Sequence, residues 1–434
     1  MTVRATGGGP LGPPSTPTST HFQTPRASAG SNRRVQASLL LCTIITCQAA
    51  NIDPAKAGLD PDRLKRIPTR MQAFVDKGLI AGAVTLVQRN GIAGAIDAVG
   101  MQNTEAKTPM RADTIFEVMS MTKPLTATGI MILVDEGRLS LNDPVEKHLP
   151  EFKGMWMVDA RIKDATGRDK EMAIKRPSRP ITIRDLLTHT SGMREMPPEP
   201  LADLYTKFHY SLRDAVQFFS QQPLEFDPGS KWAYSNTGMA TLGRIIEVTS
   251  DQPYERFLDE RVFKPLGMVD TFYFVPEAKK NRIAAVYTTG KDGKLVNLGS
   301  GILRPNAKYP MPEGGLYSTA QDMAAFYQMC LSGGRGIVSK ASLDAMTTVH
   351  TGGLPVWGSN ATGYGLGFNI IRSADGTLSL SSVGAYGHGG AFGTQAWADP
   401  RTGLIGVLMI QKFPNDANDI HNVFRSMANA AIRD

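Results

Sequence analysis

Residues 120–137 read Ser-Met-Thr-Lys-Pro-Leu-Thr-Ala-Thr-Gly-Ile-Met-Ile-Leu-Val-Asp-Glu-Gly. Proline has no N–H to give, so Pro124 fits a helix only in its first turn. From Leu125 to Val134 the side chains are apolar or small nearly all round, as in a helix buried on every side, and Gly137 ends it. This places Ser120 at the start of that helix, with Lys123 about one turn on and on the same face. A serine hydroxyl is a poor nucleophile until a neighbour removes its proton. Burial and the positive helix end both push a lysine amine below its usual value of about 10.4, toward the neutral form that can do so. The backbone N–H of Ser120 is then free for an oxyanion. The bland alternative is a capping serine with a snorkelling lysine, but so apolar a helix makes a purely structural Lys123 a costly guest.

Two further stretches carry chemistry. Tyr234-Ser235-Asn236 follows the turn at Pro228-Gly229 and precedes a helical pattern from Thr237. In an extended segment the phenol and the amide would face one cleft, as proton shuttle and carbonyl holder. The alternative is a core tyrosine with Asn236 capping the next helix. Gly387-His388-Gly389-Gly390-Ala391-Phe392-Gly393 lies just ahead of a strand pattern. Its glycines strip Cβ atoms where another backbone must come close, and the N–H of Ala391 can face an oxyanion. The alternative there is a glycine-rich turn or bulge.

Around these motifs the chain reads as helix, hairpin, helical middle, strands and helix. Asp60–Leu79 has helical spacing. Ala81–Gln88 and Ile92–Val99 read as strands joined at Asn90-Gly91. Helical patterns fall at 212–221, 239–248 and 254–263. Strand patterns fall at 363–371, 378–383, 393–398 and 404–410, before a closing helix at 418–432. This is not βαβ alternation. It predicts an α+β fold: an antiparallel sheet built from both chain ends, flanked by the terminal helices, with a mostly helical lobe inserted at roughly 141–310. The charged stretch 161–176 is expected to form an exposed hairpin turning at Thr166-Gly167.

Ser120-x-x-Lys123, Tyr234-x-Asn236 and His388-x-Gly390, in that order, resemble the serine β-lactamase and penicillin-binding-protein superfamily. The likeness is to its class C β-lactamase-like branch, with family VIII carboxylesterases and D-amino-acid peptidases, and runs from about Leu59 to the C-terminus. Supporting traces are Leu187-Thr-His-Thr-Ser-Gly192, Gly314-Gly-Leu-Tyr-Ser-Thr319 and Tyr364-Gly-Leu-Gly-Phe368. The resemblance implies a β-lactamase/transpeptidase-like fold and an acyl-enzyme mechanism. Ser120 would be the nucleophile, with Lys123 and Tyr234 sharing acid–base work. Asn236, His388, Gly389 and Gly390 would bind substrate, and the N–H groups of Ser120 and Ala391 would hold the oxyanion. His388 stands where β-lactamases carry the lysine of Lys-Thr-Gly. A histidine near its usual value of about 6.5 is only partly charged at neutral pH, which disfavours efficient penicillin hydrolysis. The expected activity is that of a carboxylesterase with weak β-lactamase action. The rivals are a D-amino-acid peptidase or cell-wall carboxypeptidase, and a non-catalytic binder of cell-wall peptides. His189 is expected to serve as a structural hydrogen-bonding group.

Composition bounds the remainder. The 434 residues are 41% hydrophobic and 20% charged, a globular balance that excludes a disordered chain. The net charge of +7 is partly a leader effect, because residues 1–50 hold four arginines and no acid. Removing those from the 47 basic residues leaves 43 against 40 acidic. Without a concentrated basic stripe, nucleic-acid binding is not expected. No metal-ligand cluster and no nucleophile elbow is present, so neither metal nor cofactor is expected. The anticipated partner is a small ester, amide or peptide substrate. Arg33-Arg34, an apolar run from Ala37 to Cys47 and Gln-Ala-Ala50 read as a secretory signal after a Gly/Pro-rich start, implying a secreted or periplasmic domain over 51–434 with no membrane span. Thr46 before Cys47 is a weak fit to lipidation. Cys330 then stands alone in the mature chain, as a buried inert thiol.

Overall fold

The structure, a computed structural model, describes residues 52–166, 169–299, 306–375 and 380–433; the leader and its two cysteines lie outside these. The chain enters through α1 (Arg66–Asp76) and forms a hairpin of β1 (Gly82–Arg89) and β2 (Ile92–Asn103). Asn90 and Gly91, at φ +52° and +80°, supply the two left-handed residues that a tight hairpin turn requires. The short β3 (Thr108–Pro109) follows on the edge. The other five strands come from the last quarter of the chain: β4 (Thr362–Tyr364), β5 (Asn369–Ile371), β6 (Tyr386–Gly389), β7 (Gln395–Asp399) and β8 (Leu404–Met409). The sheet runs β4-β5-β6-β7-β8-β1-β2-β3 and is antiparallel throughout. The two chain ends meet where β1 pairs β8, from Val84 opposite Met409 to Arg89 opposite Leu404.

Alternation along these two strands explains why both faces are covered. Val84 and Leu86 of β1, with Ile405 and Val407 of β8, point into one core; Ala83 and Val87, with Leu404 and Leu408, point into the other. The second core is closed by α1 and by α5 (Asn418–Ala430), whose Phe424 packs on Trp397 at a ring separation of 5.4 Å. The first core holds α2 (Lys123–Asp135), α3 (Asn236–Ser250) and α4 (Ala320–Leu331). Helix α2 is buried from Lys123 through Leu133, as its all-round apolar sequence requires, and packs on α3. The α+β class stands.

Four local expectations need correction. Residues 363–371 form two strands, not one, because Gly365 N–H bonds to Phe368 and Gly367 takes φ +86°, turning the chain back. The described part of 378–383 forms no strand. The glycine-rich stretch does precede a strand, β7, but its first part, with His388 and Gly389, is itself strand β6. The middle of the chain is less helical than expected, since two hairpins interrupt it: Met157–Lys163 with Asp169–Lys175, and Val286–Thr289 with Leu295–Gly299, whose Val286 and Tyr287 are buried. The first is the hairpin anticipated from charge, though Gly167 lies outside the described residues. Cys330 is buried, and burial pushes its thiol up. No helix among the described residues is long and apolar enough to cross a membrane, and none of their His, Cys, Asp and Glu side chains group to hold a metal.

Candidate active site

Ser120 sits in a 3-10 turn, Met119–Thr122, that runs directly into α2, with Pro124 in the helix's first turn. Met119 adopts φ +49°, a left-handed conformation that costs a non-glycine residue energy and persists only where its surroundings impose it. Those surroundings are visible. Thr122 Oγ1 donates to Met119 O at 2.6 Å, Leu316 N–H donates to Thr122 Oγ1, and Val118 N–H donates to Leu316 O. From the sheet, Thr394 Oγ1 donates to Val118 O at 3.1 Å. The strained turn thus presents Ser120 between sheet and helices.

Lys123 is fully buried beneath it. Its Nζ lies 3.1 Å from Ser120 Oγ, 2.8 Å from Asn236 Oδ1 and 2.6 Å from Glu313 O. The last two are pure acceptors. A neutral amine has two N–H bonds, which these acceptors consume, so its lone pair is left facing the Ser120 hydroxyl. Burial supplies that neutral form by lowering Lys123 to about 7, against the opposing pull of the Glu313 and Glu195 carboxylates.

Tyr234 completes the group. Lys123 Nζ stands 4.5 Å from its ring centre, and its phenol hydrogen-bonds with Ser120. Burial pushes the phenol well above its usual value, with the Ser120 bond opposing. Burial thus favours the protonated phenol at neutral pH. Asn236 is not in an extended segment, as the i, i+2 argument required. It opens α3, and Ser235 is the N-cap, its Oγ accepting from Gly238 N–H at 2.9 Å. Phenol and amide converge on Lys123 all the same, with the Asn236 amide nitrogen left for a ligand.

The glycine-rich strand has a split rationale. A Cβ on Gly390 would collide with Val118 O and Thr394 Oγ1, so close packing against the serine turn demands glycine there. Gly389 has only Thr394 O nearby, at 3.5 Å, so no protein packing explains its missing side chain. Strand β5 stops at Asn369 opposite Gly387, which leaves the adjoining edge of β6 unpaired at His388 and Gly389 among the described residues. In the following turn Gly390 N–H bonds to Thr394 O and Gly393 N–H to Gly390 O, leaving the N–H of Ala391 outside both bonds. His388 departs from expectation in charge. Its Nδ1 lies 2.7 Å from Gly389 O and its Nε2 3.2 Å from Tyr364 OH, and burial with Lys123 nearby lowers it to about 3. It is uncharged, not partly charged, at neutral pH.

Sequence reasoning missed three contributors. Glu313 is buried, and its Oε1 accepts from Tyr205 and Tyr309 at 2.9 and 2.8 Å; its only trace was an acid between Pro312 and Gly314 in an otherwise apolar stretch. Trp357 is 55% exposed yet held over Tyr234 at 4.8 Å by its indole bond to Asn369 Oδ1. Met119's left-handed backbone has no sequence signal.

Known proteins share this architecture. Esterase EstB of Burkholderia gladioli is 30% identical over 397 residues, covering 83% of this chain and 94% of that protein. A putative D-alanyl-D-alanine carboxypeptidase of Salmonella enteritidis is 30% identical over 80% of this chain and 82% of its own. The solved structure of EstCE1, described as a hydrolase with promiscuous acyltransferase activity, superposes with a TM-score of 0.70 at 22% identity over 86% of this chain and 98% of that one, a likeness of fold. The family model described as Beta-lactamase matches residues 67–427, and the chain belongs to that family.

Proposed function

We propose that this serine hydrolase is a carboxylesterase for small uncharged esters, exported by its basic-then-apolar leader. As Ser120 Oγ bonds to the ester carbonyl carbon, its proton passes to Lys123 Nζ. The N–H groups of Ser120 and Ala391 face the oxyanion. The tetrahedral intermediate expels the alcohol oxygen, which takes a proton from the Lys123 ammonium through the Tyr234 hydroxyl. Water then attacks the acyl-serine by the same relay in reverse and releases the acid. The exposed face of Trp357 beside Tyr234 gives an apolar acyl or alcohol group a surface.

The observation that carries the ester preference is the burial of His388 with both ring nitrogens engaged by protein groups. With Nδ1 bound to Gly389 O and Nε2 to Tyr364 OH, it has no charge to hold the carboxylate of a penicillin or a peptide C-terminus. A second reading, a cell-wall carboxypeptidase, is favoured by Arg425. It lines a cavity of about 370 Å³ together with Trp357, His388, Gly389 and Gln395, and has no salt-bridge partner among the described residues. Turnover of p-nitrophenyl acetate and butyrate, nitrocefin and a D-Ala-D-Ala peptide, with Ser120→Ala as control, separates them. The ester reading expects kcat/KM for the esters at least a hundredfold above the other two. A preference for the peptide, lost in Arg425→Gln, would establish the second reading instead.

A further inference from the structure

The catalytic groups leave one buried chain of polar side chains unused. Ser235, between Tyr234 and Asn236, points its backbone N–H at His189 Nδ1, 3.2 Å away. His189 Nε2 lies 3.1 Å from Tyr364 OH, which lies 3.2 Å from His388 Nε2, and His388 Nδ1 lies 2.7 Å from Gly389 O. With both rings neutral, as their burial favours, the end groups fix every proton between them. A backbone N–H can only donate, so His189 Nδ1 accepts and its Nε2 carries the hydrogen. A carbonyl can only accept, so His388 Nδ1 carries the hydrogen and its Nε2 accepts. The Tyr364 hydroxyl therefore receives from His189 and donates to His388, and the chain runs in one direction without a gap.

The two ends belong to opposite walls of the cleft. Ser235 caps α3 on the wall holding Tyr234 and Asn236, while Gly389 belongs to the open edge of β6, two residues before Ala391. The His189 ring also packs on the Tyr234 ring at 4.6 Å, opposite in role to the Lys123 contact on the same phenol. Nothing in this arrangement is loose: His189, Tyr364 and His388 are all buried, and His189 holds a left-handed φ of +58°.

We propose that His189 and Tyr364 are positioning residues: their one-way hydrogen-bond chain fastens the Tyr234–Asn236 wall to β6 and commits His388 to be a neutral acceptor. The inference rests on Ser120 and Lys123 as the reacting pair, not on the ester preference. Its chemical consequence concerns charge. With Tyr364's hydrogen engaged at Nε2, His388 has no lone pair left for a proton. The charged and titratable groups facing it are Lys123, His189, Tyr234, Tyr364 and Tyr327, with Arg425 across the adjoining cavity. Among these the Tyr364 hydroxyl alone donates to Nε2. Removing it cuts the link between His189 and His388 and leaves that lone pair without a donor, so the His388 ring and the β6 edge lose their tie to the Tyr234–Asn236 wall while burial and Lys123 still oppose a charge on the ring.

The test is the pH dependence of kcat/KM in Tyr364→Phe, with p-nitrophenyl butyrate. For the unaltered protein log kcat/KM is expected to fall with unit slope below pH 7, from Lys123 alone. In Tyr364→Phe the slope is expected to stay at one, because burial and Lys123 still oppose a charge on His388, while kcat at pH 8 falls about tenfold and KM changes less than threefold. His189→Gln, which keeps a donor toward Tyr364, is expected to retain most of the activity that His189→Leu loses. A kcat in Tyr364→Phe within threefold of the unaltered protein would overturn the proposal. Ring nitrogen shifts of the unaltered protein test it without any variant or substrate. Between pH 5 and 9, His189 is expected to stay in the Nε2–H form and His388 in the Nδ1–H form. The opposite tautomer, or an imidazolium at either ring, would overturn it even if no ester were turned over.

Discussion

Lys123 is the residue on which the chemistry turns, and its burial has a stability consequence as well. Its amine is lowered to about 7 from an ordinary lysine value of 10.5. The unfolded chain thus binds a proton between those values that the native state does not, so this group's destabilisation is complete below pH 7 and is relieved as pH rises toward 10.5. Its size is on the order of a few kcal/mol. Lys123→Met is expected to lose esterase activity by at least a thousandfold and to melt a few degrees higher at pH 7, with a smaller gain at pH 10. Thermal melts at both values check the sign; a lower melting temperature at pH 7 would mean that the three lost hydrogen bonds outweigh the charge term. At the same scale, Ser120→Ala should keep its fold and lose turnover entirely, measured against ester hydrolysis by the intact protein.

At the scale of elements, the glycine strand makes the sharper prediction, because neighbouring glycines are there for different reasons. Gly390→Ala drives a methyl into Val118 O, next to the strained Met119–Thr122 turn, and is expected to cost about 1–3 kcal/mol with a fall in kcat. Gly389→Ala meets no protein atom closer than 3.5 Å, so its melting temperature should stay within a degree or so while KM rises. Paired thermal melts and steady-state kinetics distinguish the two. The elements also mark where sequence reading succeeds. Helix α2 and the β1–β2 hairpin were legible, because a run of apolar residues after Pro124 and an Asn-Gly turn are local facts. The break between β4 and β5 was not, since Gly365 and Gly367 only become a turn once Phe368 has a strand to pair with. Likewise the spacing of Tyr234 and Asn236 predicts one shared cleft through an extended segment that the structure does not have. The helix cap at Ser235 delivers the amide to Lys123 as well as an extended strand would have.

The whole molecule is closed by contacts that no window of sequence contains. Residues 82–89 and 404–409 pair to join the two chain ends, and α5 covers the outer face with Phe424 against Trp397. Phe424→Ala is expected to cost about 3–5 kcal/mol in denaturant unfolding without altering KM, since it empties the core on the sheet face opposite α2. The order of the three motifs along the chain announced the family, yet their convergence, the neutral His388 and the buried Glu313 depend on burial, which only the assembled fold supplies. The claim beneath all of this is that a neutral amine under Ser120 activates its hydroxyl. The rate at which a fluorophosphonate adds mass to Ser120, followed from pH 5 to 9 by peptide mass spectrometry, tests it most directly. The rate is expected to climb tenfold per pH unit to a plateau just above 7 and to vanish in Lys123→Met. A rate independent of pH, or label carried by another residue, would contradict it.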